Sequence, residues 1–259
     1  MELTPGLRRD PAADLDAVGQ DEALAARIHA EIGRVGPITF ARFMELALYD
    51  ADGGYYRSRD ARPGREGDFL TAPESHPIFG AAIARAIADA WDRLGRPAPF
   101  VLREFGAGTG ALGVAILEGL RAERPDLAAG IRYQPVEVEP ARLDALAARL
   151  EAAGFAATLD RSEADAPIDG FILANEVLDA LPTHRVIARG GRVREVFVGS
   201  ADGGGFVDVE AEPSTDALVD RLAGEAVVLA DGQHAEVCLA LDAWVASVAA
   251  GLHRGVALF

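Results

Sequence analysis

The stretch Glu104-Phe105-Gly106-Ala107-Gly108-Thr109-Gly110 concentrates more chemical potential than any other part of the chain. Glycines at alternate positions let a backbone turn sharply and come close to a ligand. A carboxylate directly before them suits a ligand that carries positive charge. S-Adenosyl-L-methionine, with an ammonium and a sulfonium, is such a ligand; a dinucleotide, with its pyrophosphate, is not. Two more acids fit the same ligand. Glu137 is placed to accept hydrogen bonds from ribose hydroxyls, and Asp160 to meet an adenine amino group. Gly108 to Gly113 also satisfies G-x-G-x-x-G, the dinucleotide fingerprint, but the glycines begin earlier and the next acid falls beyond the usual spacing of roughly 20 residues.

A second group, Asn175, Glu176 and Asp179, could manage a nucleophile. Methyl transfer from a sulfonium is an in-line displacement that depends on alignment. If the nucleophile is a guanidinium, carboxylates can grip it in bidentate fashion and localise its charge. The alternative is that these residues cap a turn. A third group lies in the loop Gly67 to Glu74, where Asp68, Thr71 and Glu74 could contact the cofactor and Phe69 could act as a lid. His76 and His184 show no acid–base partner in the sequence and read as structural. Tyr55 and Tyr56 read as packing residues, although one hydroxyl could face the site.

Positioning these groups requires an α/β framework. Residues 1–20 form a loose lead-in. Leu24, Ile28, Ile32 and Val35 mark a helix ended by Gly36-Pro37, and Thr39 is the expected N-cap of a second helix, with Ile38 and Phe43 as a hydrophobic staple. Ile83, Ile87, Trp91 and Leu94 mark a third, with Arg85 and Asp89 paired on its polar side. Strands are expected at Phe100–Phe105, Ile131–Val138, Phe155–Leu159 and Gly170–Ala174, with helices after the first two. The β-α-β-α-β order predicts a doubly wound, Rossmann-like sheet. Val186–Ala188, Val193–Val198 and Phe206–Glu210 then read as short antiparallel strands, followed by a helix over Leu241 to Leu252 and a terminal strand-like Val256–Phe259. The expected organisation is a helical region over 21–98 and a cofactor-binding domain over 99–259 with a β-rich insertion at about 185–235.

The bulk composition narrows the function. Net charge is −16, which argues against nucleic acid and anionic membranes as partners, since phosphate binding needs a basic face. It is compatible with a cationic substrate. Every basic residue is Arg. A single cysteine, Cys238, leaves no internal disulfide, and no metal-ligand cluster is visible. No signal peptide or bilayer-length apolar run is seen, so a cytoplasmic location is expected.

Several linked motifs resemble the MidA/NDUFAF7 family of class I methyltransferases. They are Gly36-Pro37-Ile38-Thr39-Phe40 with Phe43-Met44 and Ala47-Leu48-Tyr49, Gly53-Gly54-Tyr55-Tyr56, Gly67-Asp68-Phe69 with Thr71 and Pro73-Glu74 and with Phe79-Gly80 just beyond, the glycine loop, and Ala174 to Pro182, similar to ANE-x-x-DALP. Ala107 departs from the family's common Pro. The resemblance runs from about residue 28 to the end and implies a class I methyltransferase fold with an N-terminal helical extension and a small antiparallel insertion. It further implies S-adenosyl-L-methionine as cofactor, a protein arginine as acceptor, and a link to assembly of respiratory complex I or its bacterial equivalent, mitochondrial in the eukaryotic relatives. His253 to Phe259 resembles the segment leading into a DYG motif that lies past the last residue here, so a truncated C-terminus is expected. A non-catalytic assembly factor and a small-molecule methyltransferase are the competing expectations.

Overall fold

The computed structural model describes residues 21–57, 77–162, 164 and 166–259. Helix α1 (Glu22–Val35) starts where the Asp21 side chain accepts from Leu24 N–H at 2.8 Å. It buries Leu24, Ile28 and Ile32 along one face. After the two-residue strand β1 (Ile38–Thr39), Thr39 Oγ1 accepts from Arg42 N–H at 3.1 Å and opens α2 (Phe40–Tyr49). Ile38 and Phe43 meet in one apolar cluster, as a staple should.

The chain continues through α3 (Ile78–Arg93), β2 (Phe100–Phe105), α4 (Ala111–Glu123), the short α5 (Pro125–Ala128), β3 (Ile131–Val136) and α6 (Pro140–Ala152). Next come β4 (Ile168–Ala174), β5 (His184–Arg189), β6 (Arg192–Ser200), β7 (Phe206–Ala211) and α7 (Ala217–Gly224). The last elements are β8 (His234–Val237), α8 (Leu241–Ala250) and β9 (Leu252–Leu258). No helix among the described residues is long and apolar enough to cross a membrane.

Strands β3-β2-β4-β9 form a parallel sheet in that order, with Phe100 opposite Ile131 and Val101 opposite Gly170. The chain thus runs from β2 out to β3, then back across β2 to β4. Such a reversal opens a crevice at the carboxyl ends of the strands. Alternation in β2 sends Phe100 and Leu102 into the core beneath α3, α4 and α6, while Val101 joins Ile172 and Val248 of α8 on the opposite face. Helices therefore cover both faces, as the doubly wound expectation required. Burying each large apolar side chain contributes roughly 1.5–3 kcal/mol. Gly170 is needed for the strand pairing itself, because a Cβ there would lie 2.0 Å from Val101 O.

The second sheet is antiparallel, in the order β1-β6-β5-β8, with β7 also paired to β6. Its first strand precedes α2, and the others lie between β4 and α8 in the chain. Val198 of β6 is buried by Leu24, Ile28, Ile32 and Ile38.

Four expectations are corrected. The last helix ends at Ala250, and Leu252 instead opens β9 opposite Ile168. Phe155–Leu159 is not a strand: Ala156–Thr158 is a 3-10 turn, and only Leu159 bridges Tyr133. Phe155 is buried in the core and its carbonyl accepts from Thr158, which closes the turn. The second strand stops at Val136, because Glu137 turns its carboxylate back on the backbone N–H groups of Val138 and Glu139. Arg85 does not pair with Asp89. It forms a bidentate contact with Glu123 of α4, at 2.7 and 2.8 Å, while Asp89 pairs with Arg93. Planar guanidinium-to-carboxylate geometry across two helices displaces the weaker in-helix pair.

Candidate functional site

The glycine loop follows β2 at the crevice. Gly106, Gly108 and Gly110 all have positive φ, at 66°, 52° and 80°, a region that residues with a Cβ resist. Each position has its own surroundings. A Cβ on Gly106 would lie 2.8 Å from Val177, and one on Gly110 would lie 2.7 Å from Leu146 of α6. A Cβ on Gly108 would meet nothing within 4 Å, so this part of the loop offers bare backbone to open space. Gly106 N–H donates to Val136 O at 2.9 Å, which ties the loop to the end of β3. Thr109 sits half-buried in the turn.

Glu137 completes that tie. Its Oε2 accepts from Gly108 N–H and its Oε1 from Val138 N–H, both at 2.8 Å. Its side chain is 4% exposed, with Arg142 of α6 at 3.6 Å. Asp160 lies on the far side of β3, where its N–H donates to Tyr133 O and its Oδ1 accepts from Ser162 N–H. The Ser162 bonds hold its carboxyl below the ordinary value.

Alternation along β2 decides the direction of Glu104. It shares the face of Phe100 and Leu102, so it points under α4 and is 3% exposed. Tyr133 Oη donates to its Oε2 at 2.6 Å. Burial pushes the Glu104 carboxyl up to about 7; the Tyr133 bond opposes the shift and the charge of Glu137 adds to it. Glu104 therefore lies beneath the loop, while Glu137 lies beside it.

Asn175, Glu176 and Asp179 follow β4 on the same edge of the sheet. Asn175 is half-buried, and both acids are exposed. Glu176 has φ 52°, a left-handed conformation that costs a non-glycine residue roughly 1–3 kcal/mol and is concentrated at functional sites. Asp179 lies in the 3-10 turn Leu178–Ala180. Tyr49 Oη donates to Ala180 O at 2.8 Å. Burial raises the Tyr49 hydroxyl to about 12, with added contributions from Tyr56, Asp179 and Glu137. Burial also raises the Tyr56 hydroxyl; the charges of Asp179, Glu176 and Glu137 add to this while Arg142 opposes it.

The ends of β2, β3 and β4 thus gather the glycine loop, Glu137 and the Asn175–Asp179 segment around Tyr49 and Tyr56. Asp160 follows at the outer edge of β3. Asp68, Thr71, Glu74 and His76 lie outside the described residues. Tyr133 and Arg142 escaped the sequence reading, and Tyr49 entered it only as part of the resemblance motif, with no role assigned. Alternation in β3 was the available signal for Tyr133; its contacts with Gly113 and Glu104 are set by the strand pairing.

Residues 82–259 match a protein family described as "Putative S-adenosyl-L-methionine-dependent methyltransferase". The chain is similar to the mitochondrial protein arginine methyltransferase NDUFAF7 homolog of Drosophila melanogaster, 34% identical over 220 residues, covering 76% of this chain and 49% of that protein. It is 29% identical over 198 residues to the mitochondrial protein arginine methyltransferase NDUFAF7 of Xenopus tropicalis, covering 68% of this chain and 46% of that protein. It spans about half the length of these curated relatives. A Burkholderia thailandensis protein solved with S-adenosyl-homocysteine bound superimposes with a TM-score of 0.80 at 34% identity, covering 95% of this chain and 64% of that one.

Proposed function

The chain belongs to the MidA/NDUFAF7 family of S-adenosyl-L-methionine-dependent methyltransferases, and from that premise we propose that it methylates an arginine side chain of a protein. The observation that carries this reading is the bond between Glu137 and Gly108. It holds a carboxylate and an unobstructed glycine backbone side by side at the mouth of the crevice. In this reading Glu137 takes the ribose hydroxyls, Asp160 the adenine amino group, and Gly106 to Gly110 the methionine part. Glu104 supplies negative potential from below, and Asp68, Thr71 and Glu74 are assigned polar contacts to the cofactor. S-Adenosyl-L-methionine would supply the methyl group as an electrophile already activated by positive charge. The chain's own task is alignment and exclusion of water. Glu176 and Asp179 would hold the guanidinium of the acceptor, and Asn175 would orient it.

The names of the curated relatives support a protein arginine as acceptor. The family resemblance extends the proposal to a subunit of respiratory complex I or its bacterial equivalent.

Calorimetric titration with S-adenosyl-L-methionine comes first, followed by incubation with methyl-labelled cofactor and a lysate lacking the gene. Label recovered as methylarginine after protein hydrolysis supports the proposal. Binding without transfer would leave a scaffold. Label confined to small metabolites would assign a different acceptor, and a folded protein giving no heat at millimolar cofactor would end the reading.

A further inference from the structure

Next to the turn that carries Asp179, α2 and Leu181-Pro182 line an open cavity of about 490 Å³, whose walls include Thr39, Arg42, Glu45, Tyr49 and His184. His184 is the first residue of β5 and follows directly on the segment that carries Asn175, Glu176 and Asp179. Its Nδ1 lies 2.7 Å from Glu195 Oε1. Glu195, on β6, is 0% exposed, and its second oxygen accepts from Ser214 N–H at 2.6 Å. A carboxylate only accepts, so in the neutral ring the bond places the proton on Nδ1 and leaves Nε2 as an acceptor. No other hydrogen bond is made to the ring among the described residues. Tyr49 connects this cavity to the crevice: it lines the cavity, donates to Ala180 O, and lies within electrostatic reach of Asp179 and Glu137.

We propose that His184, oriented by the buried Glu195, is the base that receives the acceptor's proton during methyl transfer. The inference rests on the methyltransferase reading above and adds to it a proton path. His184 Nε2 takes the proton shed by the acceptor nitrogen. That nitrogen's lone pair forms the bond to the methyl carbon, and the electron pair of the broken carbon–sulfur bond stays on sulfur. The proton then leaves through the cavity to water. Glu195 is a positioning residue: it fixes the tautomer and stabilises the imidazolium once formed, the division of labour seen wherever a carboxylate backs a catalytic histidine. Arg42 and Glu45 are the other charged groups on the cavity wall. Arg42 is shared between Glu45 at 2.7 Å and Glu31 at 2.9 Å, and a guanidinium accepts no proton.

The test uses the full chain as wild type, His184→Gln and Glu195→Gln. Calorimetry with S-adenosyl-homocysteine comes first, and affinities within about twofold of wild type show intact folds and cofactor sites. Proton–nitrogen NMR of the histidine rings should then show His184 protonated at Nδ1 in the wild type and a changed tautomer in Glu195→Gln. Transfer to the lysate protein fraction labelled by the wild type should fall about 100-fold in His184→Gln, within the usual range for loss of a general base. The acid limb of the wild-type pH profile should vanish with it, and Glu195→Gln should shift that limb. A His184→Gln enzyme with wild-type turnover and profile would overturn the proposal, as would an Nε2-protonated ring in the wild type. If the wild type binds cofactor but labels nothing, the methyltransferase reading fails by itself, and the ring tautomer still tests the dyad.

Discussion

Tyr133 Oη donates to Glu104 Oε2 at 2.6 Å, and Gly113 leaves the room for it: a Cβ on Gly113 would lie 2.4 Å from that hydroxyl oxygen. A glycine inside α4 therefore permits a tyrosine on β3 to reach an acid on β2. The acid at the root of the cofactor loop is held by a buried contact that spans three elements.

The raised Glu104 carboxyl makes stability depend on pH. The folded state holds this proton up to about 7, against an ordinary value of 4.5. Its stabilising contribution is therefore full below about pH 4.5 and is lost as pH rises through about 7. Glu104→Gln cannot ionise and escapes the loss. Urea unfolding of both proteins should show the wild type losing about 2.5 kcal/mol relative to the variant between pH 5 and pH 8, at 1.36 kcal/mol per pKa unit. A constant difference across that range would refute the assignment.

The same proton should compete with the cofactor. S-Adenosyl-L-methionine brings positive charge, which favours ionised Glu104. Calorimetric affinity should rise from pH 5.5 towards pH 7.5 and level off above it, with proton release that varies with buffer ionisation heat. In Glu104→Gln the slope should disappear. An affinity independent of pH in the wild type would separate Glu104 from the cofactor.

Gly113 and Gly33 make opposite predictions. Gly113→Ala forces a methyl against Tyr133 and should cost roughly 1–3 kcal/mol. Gly33 is exposed within α1, and a Cβ there would meet nothing within 4 Å. Gly33→Ala should stabilise by roughly 0.5–1 kcal/mol. Thermal or urea unfolding decides both, and a shift of the same sign in the two variants would count against the packing described.

Glu176→Gly should separate stability from activity. Relief of the left-handed backbone, less the entropy that glycine adds to the unfolded chain, leaves a gain of about 1 kcal/mol. Methyl transfer should fall more than tenfold while S-adenosyl-homocysteine binding is retained. Full activity in this variant would remove Glu176 from the reaction.

The sequence was most informative where one physical rule dominated. The cap Thr39, the glycine loop and the apolar strand β4 were legible because each is fixed by neighbours in sequence. Phe155–Leu159 misled because its apolar residues pack into the core through a turn, and periodicity does not separate that from a strand. The Arg85–Glu123 bond was invisible because it links two helices 38 residues apart. His184 read as solitary for a similar reason. Its partner lies 11 residues away across the β5–β6 hairpin, where Val186 faces Glu195 and His184 sits diagonally on the same side. A register drawn from the Gly190-Gly191 turn would have brought the two together. The direction of Glu104 followed from alternation alone, but its tyrosine partner required the strand pairing.

Val198 is sealed by four side chains that precede it by more than 150 positions: Leu24, Ile28, Ile32 and Ile38. An engineered version trimmed to begin after α2 would leave that patch wet and strip β6 of its partner at Val198. Such a version should be sticky and poorly soluble even with every residue of the cofactor loop retained, so minimal designs and crystallisation variants have to keep the leading helices.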